Sequence, residues 1–293
     1  MGNIKVGNNI KNHSEKRPKA IKKKYLVLSL IVFIIAFMLV FLLFSASTAG
    51  LRSDLALQVQ GLSFKQESVF NQVGLKLDIP TGKDYSGSGW CQNMKLYHPG
   101  EVFPHDGVNG EMSILYNFGR FENGRSTFYD PDSDYFNAHY GVYAIKLGQG
   151  AFGWKNGTLD VAAIVKVVSF DQLDLVMESL GCPSSQRHFD YQITDIKEGP
   201  EMAGFSDWIQ IDAMIETNSP LHHQTENLIG YLQYGTPPKD YNGEDFPVAA
   251  TMGRLYLRYD ETRNVTVIYF VIEKTQELID QTSKDYLMPI QWN

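Results

Sequence analysis

The longest uninterrupted apolar stretch of the chain runs from Tyr25 to Phe44, and Ser29 is its polar exception. The stretch holds 20 residues and no charged side chain. A helix rises about 1.5 Å per residue, so this length spans about 30 Å, the thickness of a bilayer's hydrocarbon core. Because lipid offers the backbone no hydrogen-bond partners, such a segment must satisfy its own backbone groups as a helix. The sequence therefore predicts a single transmembrane helix over residues 25–44.

The charges that flank this stretch predict its orientation and the division of the chain. Residues 1–24 carry eight Lys or Arg and one Glu, a net charge of +7, whereas the whole chain carries −7. Basic flanks remain on the cytoplasmic side. We therefore expect a protein of the cell membrane with a basic cytoplasmic tail (1–24), a membrane-proximal stalk (45–75) and an extracytoplasmic domain (76–293). A signal peptide cleaved after Ala49 is the alternative, although signal peptides have apolar cores of roughly 7–15 residues.

Beyond residue 75, apolar and polar side chains alternate over many short segments, as in strands that bury one face. The clearest hairpin joins Gly253–Tyr259 to Val265–Ile272. Seven further strands are expected, of which Leu159–Val168 is nearly all apolar and therefore predicted to be buried on both faces. The remaining predicted strands are Leu75–Ile79, Met112–Phe118, Val142–Leu147, Phe189–Ile193, Ile209–Glu216 and Leu228–Tyr234.

Two helices are predicted among these strands. One begins at Ser169, which can form a capping box with Gln172, and ends at Gly181 just before a proline. A shorter helix is predicted at Thr275–Tyr286. Strands outnumber helices and are joined mainly by turns, so the predicted fold is α+β: a mostly antiparallel sheet with one or two packed helices, preceded by a single transmembrane helix.

The charge balance narrows the choice of partners. The part of the chain after residue 24 carries about −14, whereas nucleic-acid binding needs clustered Lys and Arg on the folded part. Nucleic acid is therefore not an expected partner. The expected partners are the membrane lipid bilayer and either a protein or a cell-wall glycan.

The strongest candidate metal ligands are His98, His105, Asp106 and His139. Imidazole and carboxylate groups together can hold Zn²⁺ or another divalent ion. No two of these histidines have a recognised ligand spacing. The alternative interpretation is therefore that these histidines lie in turns and bind no metal ion.

A second candidate ion site lies in the segment Asp130–Asp134. Its alternating carboxylates have the spacing that opens a Ca²⁺-binding loop, but Tyr135 and Gly141 stand where an EF-hand has Gly and Glu. An Asp-rich turn whose side chains bond nearby backbone N–H groups explains the same pattern.

Aromatic residues crowd the segment 121–143 among Asp, Asn and Arg side chains. Aromatic faces beside polar groups suit sugar rings and peptides. We expect the ligand-binding residues to be Tyr129, Tyr135, Phe136 and Tyr140. Filling of the core by some of these rings is the alternative.

The two cysteines, Cys91 and Cys182, are predicted either to form one disulfide or to be separate thiols, because pairing cannot be read from the sequence. No complete catalytic motif is present. The leading interpretation is therefore a non-catalytic, membrane-anchored domain that binds a partner protein or envelope glycan and needs no cofactor. The alternative is a membrane-anchored hydrolase of cell-envelope material that depends on a divalent metal, Zn²⁺ or Ca²⁺.

Overall fold

The computed structural model describes residues 18–44, 67–77, 90–95, 110–118, 121–122, 125–223 and 237–292. The chain divides into two compact units, Met1–Arg52 and Ser53–Asn293. In the first unit, helix α1 comprises Pro18–Phe44. The described apolar side chains from Val27 to Val40 are exposed in the isolated chain. Within the described residues, no helix meets the length and hydropathy required for a membrane crossing.

The second unit is built on one antiparallel sheet of seven strands. Their spatial order is β1-β2-β3-β7-β6-β5-β4, so β1 and β4 are its edges among the described residues. The strands are β1 Trp90–Lys95, β2 Gly110–Asn117, β3 His139–Leu147, β4 Phe189–Glu198, β5 Ile209–Asn218, β6 Val248–Asp260 and β7 Val265–Glu273. Two small hairpins pair Phe121–Glu122 with Arg125–Ser126 and Trp154–Lys155 with Thr158–Leu159.

Helices cover both faces of the sheet. After the short helix α2 (Val69–Gln72), the chain forms α3 (Val161–Phe170), which continues as a π-helix over Asp171–Met177. Helix α4 (Gln276–Thr282) continues in the same way over Ser283–Leu287. The residues of α3 pack on one face, here called the α3 face, whereas α2 and α4 pack on the opposite face, called the α4 face. Strand β7 is buried along its whole length because it lies between both layers.

These features confirm the α+β class and the mostly antiparallel sheet with two packed helices. The predicted hairpin is confirmed as β6 and β7, which pair from Met252 and Glu273 to Asp260 and Val265. The C-terminal cap predicted at Gly181 is also present: its φ is +84°, and the Cys182 N–H bonds to Met177 O at 3.0 Å. Glycine favours this left-handed conformation because it has no Cβ.

The prediction of a buried strand at Leu159–Val168 was wrong, because this segment forms most of α3. The Asp160 side chain caps the helix by accepting a hydrogen bond from Ala163 N at 3.1 Å. Ser169 is consequently inside the helix and does not start it. The segment is apolar because α3 packs closely on the sheet, and such a run does not distinguish a buried helix from a buried strand.

Two other strand predictions have different outcomes. Residues 75–77 are not in a strand, since Leu75 N–H bonds to Phe70 O at 2.8 Å and closes the turn after α2. Residues 78–79 and the predicted strand Leu228–Tyr234 lie outside the described residues.

Candidate functional site

The α3 face is only partly covered, and a shallow apolar hollow opens where α3 ends and strands β4–β6 continue. Its volume is about 40 Å³. Small-molecule sites typically enclose about 300–1,000 Å³, so this hollow can admit one apolar side chain but not a sugar ring or a cofactor. The side chains that border it on the outer strands include Phe189, Tyr191, Ile193, Ile211, Ala213 and Ile215.

Two small residues create the hollow. Gly253 on β6 lies opposite Ala213 on β5. A Cβ placed on Gly253 would lie 2.4 Å from Ile215 Cδ1, so the absence of a side chain lets Ile215 lie across β6. The result is a depression in the sheet surface at the centre of an apolar area.

The apolar area continues outward to strand β4. Tyr191 is 47% exposed and Ile196 is similarly exposed, whereas Phe189 and Ile193 are half-buried. Ile196 opposes Ile211, which places it on the α3 face with the other three. We call the side chains of Phe189, Tyr191, Ile193 and Ile196 the edge face.

Strand β4 also offers backbone groups at the sheet edge. On its outer side, no other strand of the described residues pairs with it. Pairing with β5 is regular from Phe189 to Ile193, and a bulge follows between Ile193 and Asp195. Proteins commonly protect edge strands with proline, lysine or a bulge. The segment Phe189–Ile193 contains none of these, and its single charged side chain, Asp190, lies on the face opposite to the edge face, so the outer edge is open to an additional strand.

A buried carboxylate lies beneath the hollow. Tyr143, which helps to line the hollow, donates a hydrogen bond to Asp171 Oδ2 at 2.5 Å, and the Tyr116 hydroxyl donates to Asp171 Oδ1. Burial raises the pKa of Asp171 to about 6, although the two hydroxyl donors act in the opposite direction. Burial also raises the pKa of Tyr143. The arrangement fixes the π-helix onto β2 and β3.

His139 occupies the neighbouring position in the same core. Gln172 Nε2 lies 3.0 Å from His139 Nε2, and the imidazole stacks on Phe118 with ring centroids 5.0 Å apart. Burial lowers the pKa of His139 to about 4. The imidazole is therefore neutral at neutral pH, and amide and aromatic groups surround it.

The structure places the predicted metal ligands as follows. His98, His105 and Asp106 lie outside the described residues. His139 is buried. In the Asp-rich segment, Asp132 N–H bonds to the Asp130 side chain at 3.1 Å, which is the turn geometry considered from the sequence.

The four aromatic residues predicted to bind a ligand do not share one surface. Tyr129 and Tyr140 are both buried, but Tyr129 belongs to the core of the α3 face and Tyr140 to the core of the α4 face. Tyr140 stacks on Tyr286 at a centroid distance of 5.3 Å. Tyr135 and Phe136 are half-buried. Tyr129 and Tyr140 therefore fill the core, as the alternative interpretation of the sequence proposed.

Cys182 is buried after the C-terminal end of the π-helix. Burial raises the pKa of this thiol, and the positive charge of Arg187 acts in the opposite direction. The side chain of Cys91 is outside the described part of the structure. A bridge between the two cysteines therefore stays a prediction.

The edge face was missed as a site by reasoning from the sequence. Alternation of Phe189, Tyr191 and Ile193 was visible, but it indicates only that these side chains share one face of a strand. Whether α3 extends far enough to cover that face depends on the tertiary arrangement. Comparisons with protein-family models, curated proteins and solved structures found no match for this chain.

Proposed function

We propose that the protein is a single-pass membrane protein whose extracytoplasmic domain binds a partner protein through strand β4. The partner contributes an extended segment that pairs with the outer edge of Phe189–Ile193. Its apolar side chains pack beside Tyr191 and Ile193 on the edge face. The observation that carries this proposal is the exposed, apolar edge face on a strand with a free outer side among the described residues.

A protein strand fits this surface better than a glycan does. Strand addition combines backbone hydrogen bonds with contacts of alternate side chains, and the exposed edge face of β4 offers an apolar surface for such contacts. Sugar binding relies on exposed aromatic faces beside polar groups, whereas two of the four aromatic residues considered for that role are buried. The hollow itself has an apolar lining.

The charge on β4 favours a basic partner over a second copy of the chain. Asp190, Asp195 and Glu198 lie on this strand with a single cation, Lys197. Two copies paired through β4 would bring these carboxylates close together, and like charges on adjacent strands repel. A segment that contains Lys or Arg would instead be attracted.

Membrane anchorage rests on the sequence of residues 1–44. The uncharged stretch Tyr25–Phe44 has the length of the hydrocarbon core, and the preceding tail has a charge of +7. Alkaline carbonate extraction tests this part of the proposal. The full chain should stay in the membrane pellet, and protease added outside intact cells should remove residues beyond 45. Release into the supernatant, or a protected C-terminal part, would contradict it.

Photo-crosslinking tests the binding surface. A photoreactive phenylalanine analogue replaces Tyr191 in one full-length protein and Met214 in another. Met214 is 45% exposed, close to the 47% of Tyr191, but its side chain points to the α4 face. It is therefore a matched control for exposure, on the strand next to β4.

We expect the analogue at position 191 to crosslink to one short, basic segment of a polypeptide, identified by mass spectrometry. The yield at position 214 should be at least several-fold lower. Ile193→Lys should abolish the crosslink from position 191, because it places a charge in the apolar contact. Equal yields at both positions, crosslinks only to a glycan, or no polypeptide product at position 191 would reject the proposed surface.

A further inference from the structure

Two pairs of carboxylates face each other across strands β4 and β5. Asp195 opposes Asp212, and Asp190 opposes Glu216. Like charges directly opposite one another destabilise a sheet unless a cation compensates them. The two pairs differ in how this compensation is supplied.

Basic side chains neutralise the first pair. Lys197 Nζ lies 2.7 Å from Asp195 Oδ2 and 3.5 Å from Asp212 Oδ2. Arg254 Nε lies 2.5 Å from Asp212 Oδ1. Two carboxylates are thus compensated by two permanent cations.

The second pair, Asp190 and Glu216, has no comparable cation beside it among the described residues. On the far side of Glu216, the opposing residue of β6 is Ala250. In the described part of the chain, no Lys or Arg forms an ion pair with Asp190 or Glu216. The nearby basic group is the imidazole of His188, whose Nε2 lies 3.5 Å from Asp190 Oδ2.

His188 is held in place from behind. Its backbone N–H donates to Asn218 Oδ1 at 2.6 Å, and the Asn218 amide donates to Gln186 O at 3.0 Å and to Phe246 O at 2.8 Å. His188 Nε2 is buried as an atom but makes no hydrogen bond. The ring therefore presents an unused nitrogen beside two carboxylates.

We propose that His188, Asp190 and Glu216 bind a divalent transition-metal ion of the zinc class. Their nearest ligand atoms all lie within 4.8 Å of one another. Zn²⁺ binds nitrogen and oxygen at about 2.0–2.2 Å. Rotation of the exposed carboxylate side chains, which moves their oxygens by roughly 1 Å, brings the three ligand atoms to this distance from one ion. The ion replaces the missing cation of the Asp190–Glu216 pair. Water completes its coordination because both carboxylates are exposed.

Asp190 and Glu216 of the proposed metal site lie on the face of the sheet opposite to the edge face. Asp190 points to the α4 face, whereas the neighbouring Tyr191 belongs to the edge face. The ligands also differ from the four residues that the sequence suggested. The proposed site offers one imidazole and two carboxylates. This ligand set suits Zn²⁺ and its spectroscopic substitute Co²⁺ better than Ca²⁺, which prefers oxygen ligands alone.

The test is titration of the full-length, detergent-solubilised protein with Zn²⁺ by calorimetry and with Co²⁺ by visible absorption. The variants are His188→Gln, Glu216→Gln and, as a matched control, Asp195→Asn from the carboxylate pair that has Lys197. Circular dichroism verifies that each variant is folded. Loss of one ligand should weaken Zn²⁺ binding at least about tenfold.

The proposal requires a saturable Zn²⁺ site that both ligand variants weaken and that Asp195→Asn leaves unchanged. The Co²⁺ spectrum should lose its nitrogen-dependent features in His188→Gln. Absence of saturable binding would overturn the proposal, as would an equal affinity in His188→Gln and the wild type. Binding of Ca²⁺ in preference to Zn²⁺ would also overturn it, because the imidazole would then have no role.

Discussion

Asp171 and His139 should give the folded domain two opposing dependences of stability on pH. Burial raises the pKa of Asp171 from 3.8 to about 6, so the folded state holds this proton more tightly than the unfolded state. The stability that this group contributes is fully present below pH 3.8 and is lost as the pH rises through about 6. At about 1.4 kcal/mol per pKa unit, the loss is about 3 kcal/mol.

His139 acts in the opposite sense. Burial lowers its pKa from 6.5 to about 4, so the unfolded state binds this proton more tightly. Its contribution is present above pH 6.5 and is lost, again by about 3 kcal/mol, as the pH falls through about 4. Since the two windows overlap, the two contributions should nearly offset each other in the wild type.

Single substitutions should separate these contributions. Asp171→Asn keeps an oxygen that can accept a hydrogen bond from the tyrosine hydroxyls. It removes the pH dependence that Asp171 gives to stability and leaves the one that His139 gives. The free energy of unfolding of this variant should therefore rise from pH 4 to pH 7 relative to the wild type. His139→Gln should show a relative fall over the same range. Each difference should reach about 3 kcal/mol. The assay is urea unfolding of residues 53–293 at a series of pH values, followed by tryptophan fluorescence, to which the buried Trp208 contributes.

Parallel pH profiles for the wild type and both variants would refute this reasoning. Such a result would mean that neither group changes its pKa on folding. Slopes of the same sign in both variants would refute the assignment of opposite shifts. A constant offset in stability added to the expected difference in slope would show that the substitution also disturbs packing.

Three further predictions concern packing and thiol reactivity. Gly253→Ala should destabilise the domain by about 1–3 kcal/mol, measured by urea unfolding, because the new Cβ meets Ile215 at 2.4 Å; an unchanged midpoint would contradict this. Arg258 lies 3.7 Å from the centroid of the Phe205 ring, and Arg258→Gln should lower the melting temperature through a loss of about 1–2 kcal/mol. No change in melting temperature would show that the stacking is dispensable. In a Cys91→Ser background, Cys182 should react with iodoacetamide only after unfolding, whereas rapid labelling of the native protein would contradict its burial.

The strands of the sheet centre could be predicted from the sequence because runs rich in β-branched and aromatic residues flank polar turns. The β6–β7 hairpin is an example, since both strands alternate or remain apolar around a polar turn. The segment Val161–Phe170 could not be assigned in the same way. Its side chains are apolar around most of the helix. The sequence therefore lacks the clear alternation of apolar and polar faces, with a period of 3.6 residues, that would identify a helix.

The candidate site was less predictable than the fold. Tyr129 and Tyr140 attracted attention by their local density of aromatic rings, yet they fill cores on opposite faces of the sheet. Conversely, Asp190 and Glu216 are 26 positions apart and become neighbours only through the register of β4 and β5. Side chains that meet through strand pairing leave no local spacing signal in the sequence.

Strand β4 is proposed to receive a strand from a partner protein. Hydrogen–deuterium exchange tests it most directly, with the crosslinked segment supplied as a synthetic peptide. Backbone amides within Phe189–Ile193 should exchange more slowly when the peptide is present, and Ile193→Lys should show no such slowing. Unchanged exchange in β4 with saturating peptide, or protection confined to another part of the domain, would contradict the claim.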